Sequence, residues 1–402
     1  MSHNKKLWTV TLLASAISGL THAGDIEFTG FMSVTAGLVD DANSISFAGY
    51  SESDFTFEQG TLFGLQVSGQ ISDKVSATAQ MVARGNENYN VEAEWAYLSY
   101  QATDNGKVRF GRLRMPLYLY SDFVDVGYAY TWVRPPSAVY YLPFNNIEGV
   151  DYYTTFVLGD FDSSLQVYYG AFTDSFVPAE GAPEAETRSR NQFGVAFTFG
   201  QDWWTVRAAY HAATLSVDVT GIPISSTDTI GSFANTLRLL GFSANADRLL
   251  AEEDDATFIG IGLSIDTGTY LLAAEHVEFD YDNTLFSKDV RDYVMVGYRT
   301  GNWLFNVTAQ RTRDEATHPE AGIPAGVAIP GVGSTDVLIA SLQSIAAAQV
   351  GDMDTLSFGA RWDLAPNTAL KFQLDDVEDN SPIWGGQTLD QRVFSVSLQT
   401  IF

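Results

Sequence analysis

The residues of this chain that could do chemistry are charged side chains, not nucleophiles or metal ligands. The 402 residues include no cysteine and five histidines, and they contain no Gly-x-Ser-x-Gly, His-Glu-x-x-His or phosphate-binding glycine-rich motif. Of the two carboxylates near His276, Glu275 and Glu278, only Glu278 lies on the same strand face, because adjacent strand residues point to opposite faces. We therefore predict that the chain is not an enzyme and has no catalytic residue, no metal site and no cofactor.

The segment 115–147 combines acids with an unusual density of aromatic residues. Asp122 and Asp125 are its carboxylates, Glu148 follows at its exit, and Arg134 precedes two prolines that restrict the backbone. Basic side chains occur in the alternating segments around it, and the candidates for a facing wall are Arg84, Arg109, Arg112, Arg207, Arg291, Arg299, Arg361 and Lys371. Acids and bases that face each other across a narrow space create a transverse electric field, which orders water and favours small polar solutes.

For any single member of this basic set, a salt bridge that only stiffens the wall is at least as good an interpretation. Alternation with apolar neighbours predicts that the other members face inward, whereas it does not decide the facing of Arg112, which lies where a strand gives way to the loop. The prediction therefore concerns the cluster and not one residue.

The composition excludes two broad classes of protein. Lys and Arg total 22 against 49 Asp and Glu, for a formal net charge of −27, while 46% of the residues are hydrophobic. Disorder requires low hydrophobicity together with high charge, and a phosphate backbone requires clustered basic residues. We predict a folded chain with no nucleic-acid partner.

The first 23 residues are typical of a secretory signal peptide. Lys5 and Lys6 precede an apolar stretch, and Thr21-His22-Ala23 has the pattern of a cleavage site. No later run of 18 apolar residues predicts a transmembrane helix. We expect export through the periplasm after cleavage near Ala23, with residues 24–402 as the folded part.

Period-two alternation over the rest of the chain predicts β-strands with one apolar face. Phe394, Val396 and Leu398 alternate with polar or small residues, for example, and the same pattern recurs about sixteen times, with short turns alternating with long loops. An even number of strands of about ten residues is typical of a bacterial outer-membrane barrel. The predicted strands are 25–38, 54–70, 75–84, 91–101, 107–114, 148–158, 163–173, 190–200, 203–214, 256–266, 269–280, 288–299, 302–313, 353–363, 367–378 and 391–402.

Two other long loops, 215–255 and 314–352, are predicted on the outside, each with a short helix. The second helix is expected to open at Thr335 or Asp336 as its N-cap. One face of the first helix is expected to carry Leu237, Leu240, Ala244 and Leu249.

The pattern resembles the Gram-negative trimeric porin family. The resemblance rests on sixteen alternating segments, a long loop after the fifth, Arg109-Phe110-Gly111-Arg112 leading through Pro116 into that loop, and a last strand ending in Phe402. It implies an all-β transmembrane antiparallel barrel, a homotrimer, a water-filled lumen and a third loop folded inward to narrow it.

These observations predict an outer-membrane passive diffusion channel for small hydrophilic solutes and ions, filtering by size and charge at 115–147. Expected partners are outer-membrane lipid and lipopolysaccharide. The net negative charge predicts a mild preference for cations at the mouth. Two alternatives stay open: a substrate-selective channel, for sugars for example, that uses the aromatic loop as a stacking surface, and a closed structural or adhesive barrel.

Overall fold

The computed structural model describes residues 26–40, 49–50, 55–142, 144–177, 183–331 and 333–402. The predicted signal peptide lies outside the described residues and stays a prediction.

Within these ranges, sixteen antiparallel strands close into a barrel, and a separate short hairpin is formed by β14 and β15. Barrel neighbours are neighbours in the chain, except that β13 pairs with β16 across the hairpin and β18 pairs with β1 to close the barrel. The strands are β1 (Ile26–Val39), β2 (Leu62–Ser72), β3 (Val75–Arg84), β4 (Val91–Gln101), β5 (Gly106–Arg114), β6 (Asn146–Leu158), β7 (Phe161–Phe176), β8 (Ala185–Gln201), β9 (Trp204–Val217), β10 (Asp254–Asp266), β11 (Tyr270–Tyr281), β12 (Asp289–Thr300), β13 (Trp303–Arg313), β14 (Ala328–Ile329), β15 (Gly333–Ser334), β16 (Asp352–Ala365), β17 (Thr368–Asp379) and β18 (Leu389–Ile401).

The alternation in the sequence separates a polar lumen from an apolar outer surface. On β18, Ser395 and Gln399 are buried inside the barrel, whereas Phe394 and Leu398 are exposed on its outside. Apolar side chains on the outside of a barrel are suited to contact with lipid. Closure of the barrel also leaves no sheet edge whose unpaired backbone groups would face the lipid. The predicted all-β transmembrane barrel is confirmed.

The predicted strand at 54–70 was wrong at its beginning, since β2 starts at Leu62. Phe55 and Phe57 alternate in the sequence, yet both are exposed and lie before a turn. Gly60 closes that turn at a φ of 73°, a left-handed conformation that glycine takes without steric cost.

The long loops at the end of the barrel opposite the short turns carry helices α1 (Ile230–Leu239), α2 (Ser243–Asp247) and α3 (Thr335–Ala347). Leu237, Leu249, Leu338 and Leu342 form a buried cluster that joins the two loops. The expected N-cap of the second predicted helix was wrong by one residue, because the Ser334 hydroxyl accepts the hydrogen bond from the Asp336 backbone.

The expected apolar face of the first predicted helix also differs from the structure. Ala244 is exposed, and Ala246 takes the buried position. The turn between α1 and α2 changes the helical phase there. No helix within the described ranges is long and apolar enough to cross a membrane.

Candidate functional site

The connection between β5 and β6, which we call the inserted segment (residues 115–145), enters the lumen and touches opposite walls. Near its beginning, the backbone N–H of Leu119 donates to Glu275 on β11 at 2.7 Å. Further along, Gly127 lies so close to β1 and β18 that a Cβ there would come within 2.8 Å of the Ser33 Oγ. The segment therefore crosses the barrel and returns.

Two wall cations hold the middle of the inserted segment through its backbone. The fully buried Nζ of Lys371 donates to the carbonyl oxygens of Gly127, Tyr130 and Trp132 at 2.7, 2.6 and 2.8 Å. Arg361 donates to the carbonyls of Tyr128 and Tyr130 at 2.8 and 3.0 Å. These groups act as clamps on the segment, and their charge is directed at backbone dipoles and not at a solute.

The aromatic residues of the segment pack against the wall. Tyr118, Tyr130 and Trp132 are buried, and the Trp132 indole N–H donates to Thr308 at 2.7 Å. A sugar ring needs an accessible aromatic face for stacking, and these three rings offer none. The structure therefore does not favour the stacking alternative at these positions.

Arg134 is also turned to the wall. Its guanidinium pairs with Asp375 on β17 and donates to the Ser395 hydroxyl at 2.8 Å. Two buried wall acids hold the return path, where Tyr140 donates to Glu275 and Tyr141 donates to Asp289.

A four-membered ion cluster holds the segment on the β3–β5 side. Asp125 accepts from Arg84 at 2.9 Å and from Arg114 at 2.6 Å, and Glu94 bridges the same two arginines at 2.5 and 2.6 Å. Burial acts to raise the pKa of Asp125, but the charges of Arg114 and Arg84 outweigh it and lower that pKa to about 2. Asp125 is therefore a charged anchor over the ordinary pH range.

Asp122 is the acid of the inserted segment whose carboxylate remains exposed to water. Its side chain is 58% exposed, and its nearest cation is Arg207 on β9, 3.9 Å away. It lines a cavity of about 240 Å³ together with Lys107 and Arg109 of β5. Arg109 is itself bound to the buried Asp151, whose oxygen also accepts from Gln166 at 2.7 Å. Acid and base thus face each other across this cavity.

Two predicted basic residues lie away from this cavity. Arg291 pairs with Asp314 at 2.8 Å and lies over the Tyr141 ring, 3.5 Å from its centroid. Arg299 pairs with Asp266 at 2.9 Å beside the turn between β10 and β11.

The prediction that Glu148 and Arg112 line the pore was wrong. The two residues are directly paired between β5 and β6, 3.4 Å apart, with the Glu148 side chain 63% exposed. They share the strand face of Phe110, which is exposed on the outside, while Arg109 and Asp151 occupy the opposite face. Strand alternation therefore places this pair on the outer surface.

Some residues of the site were missed from the sequence. Lys107 could have been found, because it lies two residues before Arg109 and so shares its face. Glu275 and Asp289 carried no such signal, because their role depends on where the inserted segment meets the wall. Among the described residues, no group of three or more His, Asp or Glu side chains is arranged to hold a metal ion.

A family model described as Gram-negative porin matches residues 9–382. No curated protein sequence matches the chain.

Solved structures resemble the fold at low identity. The outer membrane channel DcaP of Acinetobacter baumannii has 10% identity and a TM-score of 0.56, covering 95% of this chain and 99% of its own. The anion-selective porin from Comamonas acidovorans has 14% identity and a TM-score of 0.53, covering 94% and 99%. OmpF of Salmonella typhi, in complex with daunomycin, has 13% identity and a TM-score of 0.53, covering 94% and 98%. At such identities the likeness concerns the fold alone.

Proposed function

Since the chain belongs to the Gram-negative porin family and is an outer-membrane diffusion channel, we propose that Asp122 and the bases facing it filter what passes. The inserted segment narrows the lumen, and small hydrophilic solutes and ions cross beside it. The single observation that carries this proposal is the cavity of about 240 Å³ in which the exposed Asp122 faces Lys107 and Arg109.

The physics of the filter follows from which charges are already neutralised. Asp125 and Arg114 are bound to each other, and Lys371 and Arg361 are bound to backbone carbonyls, so their fields are largely compensated locally. Asp122 has a cation only at 3.9 Å and stays in contact with water. An ion that crosses the narrow part of the lumen passes this hydrated charge at a distance shorter than the screening length, which is about 8 Å at physiological salt. Salt therefore does not fully screen the interaction between the charge and the ion.

The proposal includes three further features. We infer that the working unit is a homotrimer, which the family membership supports, and that it contacts outer-membrane lipid and lipopolysaccharide through the apolar outer surface. We also infer that residues 1–23 direct export and are removed near Ala23, on the sequence pattern alone. Nothing in the described residues favours a catalytic function.

The test is a reversal-potential measurement in a planar bilayer under a salt gradient. For Asp122→Asn, we expect a shift toward anions with a single-channel conductance within about twofold, because the substitution removes one hydrated charge and little volume. The matched control is Asp363→Asn, since Asp363 pairs with Arg361 on β16, on the wall across the lumen from the β5 residues that face Asp122. An unchanged reversal potential in Asp122→Asn would contradict charge filtering at this place, and absence of conductance from folded wild-type protein would contradict the channel itself.

A further inference from the structure

A second cavity, of about 190 Å³, lies between the inserted segment and the wall of β7–β11. It shares no lining residue with the cavity at Asp122. Within the described ranges, its lining contains no Asp, Glu, Lys or Arg. It is therefore chemically unlike the hydrophilic path of the proposed function.

Aromatic rings enclose this cavity from both sides. Tyr141 and Phe144 come from the inserted segment, and Phe172 and Phe279 come from the wall. The Phe144 ring lies 5.1 Å from that of Phe172, within the range of favourable ring pairs. For scale, an apolar protein cavity of about 150 Å³ holds a benzene molecule. The volume here suits one aromatic ring with a small substituent.

Two buried polar atoms at the β8 side of the cavity have no hydrogen-bond partner among the residues that the structure describes. They are the hydroxyl of Thr187, which is fully buried, and Oε1 of Gln192, whose residue is 2% exposed. A buried polar group without a hydrogen-bond partner destabilises the folded protein, and a ligand that supplies the partner gains affinity. Thr187 and Gln192 lie opposite positions about four residues apart on β9, so one ligand hydroxyl can reach only one of the two atoms. Oε1 of Gln192 is an acceptor without a donor in the described part of the chain, and a ligand hydroxyl would supply that donor.

A bulge in β8 aims Gln192 into this cavity. Pairing with β9 shifts register between Arg190 and Phe193, and Asn191 has a φ of 51°. The extra residue puts Ser189 and Gln192 on the same inner side, although their spacing of three would place them on opposite faces of a regular strand. Bulges of this kind re-aim side chains at specific sites.

We propose that this cavity binds a small monocyclic aromatic alcohol of the phenol class. The ring lies among the phenylalanines. Its hydroxyl donates to Oε1 of Gln192. The site goes beyond the proposed diffusion function, and because the two cavities share no residue, either can fail without the other.

The experiment uses 4-fluorophenol as the probe and fluorobenzene as its analogue without the hydroxyl. Both are titrated against the refolded protein in lipid nanodiscs, and binding is read from ¹⁹F transverse relaxation and its reversal by excess phenol. We expect saturable binding of 4-fluorophenol about fivefold tighter than that of fluorobenzene, from one net hydrogen bond. Gln192→Leu should abolish that preference and leave fluorobenzene binding unchanged.

Two neighbouring alanines of β9 provide a matched pair of variants. Ala213 lines the cavity, whereas Ala212 points to the opposite face of the strand. Ala213→Phe should remove the saturable binding, and Ala212→Phe should keep it, since both add the same ring to the same strand. Should Ala213→Phe fail to refold, Ala256→Leu fills the cavity from β10.

Three results would overturn the proposal. The first is the absence of displaceable binding in the wild type. The second is equal binding of the two probes, which would indicate an apolar void without a hydroxyl site. The third is binding that survives in the filled variant, which would place the probe in the lipid or elsewhere on the protein.

Discussion

The two sides of the lumen use the same kinds of side chain for opposite purposes. The wall of β16–β18 binds the inserted segment through Lys371, Arg361 and Asp375, the last of which pairs with Arg134 of the segment. On the wall of β5–β9, Lys107 and Arg109 face the exposed carboxylate of Asp122 across a cavity. The comparison shows that the role of a basic residue in the lumen depends on its partner. It acts as a clamp where it binds backbone carbonyls of the inserted segment, and as part of the filter where it faces a hydrated acid. Arg207 lies between the two roles, because it is 3.9 Å from Asp122 and also donates to the Pro116 carbonyl at 3.0 Å.

The largest effect is expected when the clamp side is broken. Lys371→Met removes the donor that the carbonyls of Gly127, Tyr130 and Trp132 share, and only the Tyr130 carbonyl keeps Arg361 as a second donor. A buried carbonyl left without a donor costs about 1–3 kcal/mol. We expect the free energy of unfolding to fall by about 3 kcal/mol and the conductance to become larger and noisier as the segment loosens. Urea unfolding and single-channel recording measure both.

The matched control is Lys74→Met at an exposed turn between β2 and β3. It makes the same chemical change and should leave both measurements at the wild-type values. Equal behaviour of the two variants would mean that Lys371 does not hold the segment.

A smaller effect is expected at the ion cluster, where Glu94 remains to bridge the two arginines. Asp125→Asn should destabilise the protein by about 1–3 kcal/mol, because it removes the charged partner of Arg84 and Arg114. The pKa of Asp125 is lowered in the folded state, from 3.8 to about 2, so its stabilisation is complete above pH 4 and is lost as the pH falls through 2.

The free energy of unfolding measured between pH 2 and 6 tests the direction of this pH dependence. The difference between wild type and Asp125→Asn should shrink as the pH falls toward 2. A difference that is constant over this range would contradict the assignment of the charge to Asp125.

The smallest effect is expected from the pair on the outer surface. Arg112→Gln and Glu148→Gln change charges of the same type as those of the filter, but the barrel wall separates them from the lumen. We expect reversal potentials equal to the wild type, in contrast to Asp122→Asn. A shift as large as that of Asp122→Asn would show that distance from the lumen does not separate the two groups.

Most of the barrel could be predicted from the sequence, because strand alternation is a local property and recurs in almost every strand. One error lies where alternation is interrupted, at Gly60 before β2, and there it is decided by the backbone conformation of one or two residues. At Arg112 the alternation continues, because β5 extends to Arg114, and the end of the strand could not be located from the sequence.

The candidate site could be predicted only as a set of charges. Arg109 and Lys371 look alike in the sequence, since each is a base on an alternating strand. One binds a neighbouring aspartate and lines a cavity, and the other binds three carbonyls of a segment more than two hundred residues away. The path of the inserted segment makes this difference, and it is a property of tertiary packing.

The lysine clamp also has a consequence for the order of assembly. Lys371 and Gly127 are 244 residues apart in the chain, and the Tyr128 hydroxyl reaches the carbonyl of Pro366 from a similar distance in sequence. Contacts of such separation form late, because a long loop must close before they stabilise anything. The narrow point can therefore be completed only after the hairpin of β16 and β17 is in place. Before the barrel has closed, the lumen is therefore wider and less selective than in the finished protein.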